Sequence, residues 1–109
     1  MKRGFVLVPA FILVCLFVAA VFVKQGMAGE PGEALFKQHC AICHVDGGNI
    51  INPKKTLHKK DLDANNIKAA ADIIKTMRNP GPGMTTFDEK IIPDKQAHEI
   101  AEHILKTFN

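Results

Sequence analysis

Five residues, Cys40-Ala41-Ile42-Cys43-His44, restrict this chain more than any other stretch. Two thiols three positions apart, with an imidazole directly after the second, match the needs of covalent haem. Each sulfur can form a thioether to a haem vinyl group, and the imidazole then lies within reach of the iron on one side. Cys40 and Cys43 are therefore the expected thioether sites, and His44 the expected proximal ligand. Two other chemistries use parts of the same pattern. A redox dithiol of the Cys-x-x-Cys kind should follow a strand in a βαβ unit, and no such unit is predicted. A structural zinc site needs a second ligand pair, and no cysteine follows Cys43.

The N-terminal quarter belongs to export rather than to the fold. Lys2 and Arg3 form a positive start, Phe5 to Val23 is a 19-residue apolar run broken only by Pro9, and Gly26 and Ala28 put small residues at a cleavage site. Residues 1–28 read as a signal peptide cut after Ala28, which leaves 29–109 as one domain in the periplasm. The run is nearly long enough to span a bilayer, so its retention as a membrane anchor is the alternative, with the domain then tethered facing the periplasm. Cys15 follows Val14, where a lipid-anchored sequence wants a small residue, and reads as one more apolar leader position.

Removing the leader changes the balance of charge. The formal +3 of the whole chain belongs to Lys2, Arg3 and Lys24, and eleven basic residues then face eleven acidic ones. That excludes a nucleic-acid footprint, which needs a concentrated basic surface. It also leaves only Cys40 and Cys43 as thiols, so no structural disulfide is available. The 109 residues less the 28 of the leader leave 81, with Phe36, Phe87 and Phe108 as the only aromatic residues besides histidine. A core that small gives marginal stability alone, so the haem is expected to act as its apolar centre and the haem-free chain to be largely unfolded.

In chain order, Pro31 opens a helix whose Gly32, Leu35, Phe36, Cys40 and Cys43 recur at spacings of three and four. His39 reads as packing or solvent-exposed. After His44 the chain is irregular through Leu57, with a turn at Asp46-Gly47-Gly48-Asn49, and this loop is placed to offer His44 a carbonyl for its other ring nitrogen. Pro53 is the expected donor of that carbonyl. Lys54, Lys55, Lys59 and Lys60 form the one basic cluster of the mature chain. They fit a docking face for an acidic partner, a propionate neighbour, or a solvated loop.

Asp61 to Ala64 predict one short helical turn. Asn65 or Asn66 is the expected cap of a further helix with Ile67, Ala70, Ala71, Ile74 and Met77 on one stripe, ending at Asn79-Pro80. The run Pro80-Gly81-Pro82-Gly83 forbids helix and restricts the loop, which holds the following side chain in place. That side chain is Met84, the expected distal ligand, because a thioether can close the sixth iron position. Met77 continues the helical stripe and reads as core. Pro93 and Asp94 open a last helix with Ala97, Ile100, Ala101, Ile104, Leu105 and Phe108 inward. Gly32 lets another helix approach closely, while His98 and His103 fall off the stripe and read as surface or flanking residues.

With Gly32, Phe36, Cys40, Cys43, His44 and Met84 in place, residues 29–109 resemble a class I c-type cytochrome, and within that class the small c-six branch. The likeness rests on Gly32 to Phe36, Gly47 to Asn49, Pro53 to Leu57, and Ile73-Ile74 through Asn79 to Met84. It implies an all-α cytochrome c fold: about four short helices around one covalently attached haem c, with the N- and C-terminal helices crossing. It also implies that Lys55 lies near a haem propionate. Two positions depart from the pattern. The last helix usually brings an aromatic ring to the crossing, where this chain has His103, and the stretch from Leu57 to Ile73 is a couple of residues shorter than in photosynthetic members.

The function so implied is not enzymatic: a monohaem one-electron carrier that meets a redox donor and acceptor transiently. Two other readings remain open on the residues. One is a haem protein with an open sixth site that binds a small ligand; the other is a membrane-anchored haem subunit of a larger oxidoreductase, which retention of 5–23 requires.

Overall fold

A computed structural model of the chain describes residues 30–109, and the leader assigned to 1–28 lies outside them. The described elements are α1 (Pro31–His39), a 3-10 turn (Val45–Gly47), α2 (Lys59–Ala64), α3 (Ala70–Arg78) and α4 (Asp94–Thr107). Among the described residues there is no strand and no helix long and apolar enough to cross a membrane.

Pro31 sits at the start of α1, where its missing N–H is an orphan in any helix. One face of α1 is buried, at Gly32 and Phe36. The helix stops at His39, and the chain turns with the Cys40 and Ala41 N–H groups both donating to the Phe36 carbonyl. Cys40 and Cys43 therefore lie beyond the helix rather than on its face. Glu30, just ahead of α1, accepts from the Lys106 ammonium of α4, which holds its carboxyl below the usual carboxylate range.

The last helix is the one on which the others lean. Ala97, Ile100 and Ala101 are wholly buried and Ile104 nearly so, a stripe at 3.6-residue spacing that packs against both α1 and α3. At the α1–α4 crossing Gly32 is needed for close approach: a Cβ there would lie far inside contact with the Glu99 carbonyl and 2.9 Å from the His103 Cβ. His103 is buried rather than a surface residue. Its ring packs 5.4 Å from Phe36 and 6.1 Å from Phe108, so it takes the aromatic place at the crossing. Burying Phe36 alone in that contact is worth about 2–3 kcal/mol.

Two helix boundaries differ from the sequence reading. Asn65 and Asn66 end α2 instead of opening α3: Asn65 is its C-cap, and Asn66 takes a left-handed φ of 60° that asparagine tolerates. The helix α3 begins at Ala70, with the Asp72 carboxylate accepting from the Lys68 and Ala69 N–H groups, and those bonds hold its carboxyl below the usual range. The stripe rotates accordingly, so Ile73 and Met77 are buried while Ala71 is exposed.

The crossing gives a direct test. Gly32→Ala should destabilise the haem-loaded protein by about 2 kcal/mol or more, lowering its thermal midpoint by roughly 10 °C. A midpoint unchanged in a calorimetric scan contradicts the close approach of α1 to α4.

Candidate haem site

A cavity of about 420 Å³ opens between the end of α1, the 44–57 loop, α3 and the 79–87 loop. Cys40, Cys43, His44, Lys55, Met77 and Met84 all line it, as do Leu62, Ile73 and Ile104 from the surrounding helices. The sequence-predicted residues, spread over 45 positions, thus share one space. Its deep wall is apolar, with Met77 buried at 3% exposure as a core residue. Ile42 and Ile51 also line the cavity yet are 80% and 58% exposed, so its mouth has an apolar lip.

His44 is buried, and its Nδ1 lies 2.7 Å from the Gly48 carbonyl. Gly48, not Pro53, is the partner of this ring. The bond requires Nδ1 to carry the proton, which leaves Nε2 with a free lone pair for a metal. The backbone that presents Gly48 is held on its other side by the C-terminus. Gly47, at φ +77°, packs under the Phe108 ring so closely that a Cβ would come within 2.5 Å of it, and the Gly47 carbonyl accepts from Leu57 N–H at 2.7 Å.

Asn49 organises the rest of this loop, a role hidden in what the sequence offers as a plain turn residue. Its Oδ1 accepts from Ile51 N–H at 2.9 Å and Asn52 N–H at 2.8 Å, while its Nδ2 donates to the Lys55 carbonyl at 2.9 Å. The signal was present in part, since asparagine in a Gly-Gly-Asn turn commonly bonds backbone two residues on. The third bond, six residues away, was not foreseeable. Through it Lys55 is set at the cavity edge, its ammonium 3.8 Å from where a Cβ on Gly81 of the opposite loop would lie. Of the other lysines in the cluster, Lys59 pairs with Asp63 on α2 at 2.9 Å.

The donor set fits haem c and not the competing chemistries. Burial pushes the Cys40 thiol up to about 11, the opposite of the low value that a dithiol catalyst needs. Among the described residues no three His, Cys, Asp or Glu side chains cluster to hold a bare metal ion. Two thiols, an imidazole with a free Nε2 and a thioether around an apolar cavity are the groups that a covalent, six-coordinate haem takes up. His39 lines the same cavity but is turned edge-on to Phe87, with ring centroids 6.1 Å apart.

Known proteins resemble this chain in sequence and in fold. Residues 27–104 match the family model described as "Cytochrome C oxidase, cbb3-type, subunit III". Cytochrome c6 of Rippkaea orientalis is 35% identical over 107 residues, covering 96% of this chain and 93% of that protein. This chain belongs to the class I c-type cytochromes, in the c6 branch. Among solved structures, OmcF, the outer membrane cytochrome F of Geobacter sulfurreducens, superposes with a TM-score of 0.70 at 44% identity, over 72% of this chain and 99% of that one. Cytochrome c6 of the diatom Phaeodactylum tricornutum gives 0.65 at 31% identity, over 70% and 88%. As a c6-type cytochrome the chain has the all-α cytochrome c fold, binds one covalent haem c and is a one-electron carrier rather than an enzyme.

The loop under the site should be sensitive to its organiser. Asn49→Ala removes three hydrogen bonds from a half-buried loop and should cost the haem-loaded protein about 1–2 kcal/mol. Amide exchange at Ile51 and Asn52 should quicken by about tenfold. Unchanged exchange at both amides would show that the loop is held by something else.

Proposed function

We propose that Cys40 and Cys43 form the two thioethers, that His44 Nε2 is the proximal ligand and Met84 the distal ligand, and that Lys55 stands beside a propionate. The observation that carries this reading is that one apolar cavity is lined by all five side chains. When bound, the haem supplies a one-electron iron couple. The work of this chain is to hold that couple in one coordination state. The Gly48 carbonyl fixes the His44 tautomer and ring plane, and a thioether on a Pro-Gly loop favours the ferrous iron and raises the potential.

As a c6-type cytochrome the chain is a transient carrier between redox partners. We infer that it works in the periplasm as residues 29–109, after cleavage behind Ala28. The composition of the leader supports this. The apolar lip of Ile42 and Ile51, with the lysines at 54, 55, 59 and 60 in neighbouring sequence, gives an acidic redox partner a contact face. Its long-range attraction is small because the mature chain is formally neutral.

The ligand assignment is tested by absorption spectra of the oxidised and reduced holoprotein, of Met84→Ala, and of each reduced form under carbon monoxide. Wild type should show a sulfur-to-iron band when oxidised and bind no carbon monoxide. In Met84→Ala the band should vanish and carbon monoxide should bind. A wild type that takes up carbon monoxide readily has an open sixth position, and the ligand-binding reading then replaces the carrier.

A further inference from the structure

The segment that presents Met84 is held from outside itself. Apart from a turn at Pro82-Gly83, no hydrogen bond ties residues 80–86 to the rest of the described chain, and Pro80 and Pro82 have no N–H to offer. The loop closes only at Phe87, and it closes there twice. The Phe87 N–H donates to the Met77 carbonyl at 2.9 Å, and the Phe87 carbonyl accepts from Arg78 Nη1 at 2.9 Å. Met77 and Arg78 are the last two residues of α3.

Arg78 does more than close the loop. The same Nη1 donates to the Ile92 carbonyl at 2.8 Å, and Nη2 donates to Asp94 Oδ1, in the first turn of α4, at 2.7 Å. One guanidinium therefore joins the end of α3, the return of the Met84 loop and the start of α4. Its side chain is only 21% exposed, so these charge-assisted bonds are screened less than a surface pair would be. A planar fork spreads its donors over two nitrogens to reach three acceptors at once; an ammonium presents its three donors from a single atom and cannot match that spread.

We propose that Arg78 is a positioning residue for the sixth iron ligand, acting through the Met84 loop. The inference rests on the reading of Met84 as distal ligand. A thioether is a weak ligand, and its hold on iron depends on how little freedom its loop has when unbound. Loosening the loop at Phe87 and Ile92 widens the set of positions open to Met84 and lowers its effective concentration at the iron.

Imidazole competition on the oxidised holoprotein reads this quantity, because imidazole binds by displacing the sixth ligand. In Arg78→Gln and in Arg78→Lys, imidazole should bind at least about tenfold more tightly than in wild type, as expected when bonds to a charged group are lost. The sulfur-to-iron band should bleach at correspondingly lower imidazole. Asp94→Asn keeps both carbonyl contacts and should shift the affinity by about threefold or less. In a Met84→Ala background, Arg78→Lys should add nothing further.

A lowered melting temperature with unchanged imidazole affinity in both Arg78 variants would assign Arg78 a structural role alone and overturn the proposal. So would an equal rise in the Met84→Ala background, since Arg78 would then act without Met84. Should Arg78→Gln fail to take up haem, Arg78→Lys reads the same constant. A wild type that binds imidazole as tightly as Met84→Ala removes the ligand reading itself, a result distinct from the others.

Discussion

Covalent attachment of a large apolar group to a segment without regular structure is the constraint on which the rest of the fold depends. The Cys40 to His44 stretch follows the end of α1 as turns, and after the 3-10 turn at Val45–Gly47 the loop is irregular through Leu57. Such a backbone has few ways to stay in place. Here the proposed thioethers and iron ligand fix it from one side, while Gly48, Asn49 and the Phe108 ring fix it from the other. The helices supply walls to that arrangement more than they supply a core of their own. Among the described residues their buried set is mainly small or aliphatic, with Phe36 as its one buried aromatic residue other than His103.

The same logic explains the division of labour among the helices. The crossing of α1 on α4 at Gly32 brings the first and last described helices together behind the site, and α3 packs on α4 to form the opposite wall. The two proposed axial ligands are then held by different means. His44 is secured by a single short bond to a carbonyl four residues on, within a tightly bonded loop. The Met84 loop has no such internal network and depends on α3 and α4 at its ends. On the proposed ligation, such a site keeps one ligand fixed while the strength of the other is set at a distance.

Much of the site was legible in the sequence because its chemistry depends on residue type at fixed spacing. The Cys40, Cys43 and His44 triplet and the Pro-Gly run ahead of Met84 have few other uses, and the structure brings them to one cavity. The final helix was legible for a similar reason, since Ala97, Ile100, Ala101 and Ile104 repeat at helical period and all are buried. What spacing could not reveal is what depends on tertiary partners. Pro53 was expected to serve His44, but a carbonyl acceptor can be any residue, and Gly48 is nearer. His103 looked peripheral because histidine carries no strong burial preference; the rings of Phe36 and Phe108 decide its place. Asn66 resembled a helix start, yet a left-handed φ suits the end of α2 as well, and only the Asp72 cap shows where α3 begins.

If haem is the core of this chain, a Cys40→Ala, Cys43→Ala protein that cannot attach it should lose the fold. Its helix content and its unfolding by denaturant should be measured by circular dichroism. Little helix and a gradual, non-cooperative loss of it are expected. A sigmoidal transition with helix content near that of the holoprotein would mean that α1, α3 and α4 fold around one another unaided, and that the haem is a passenger in a finished scaffold.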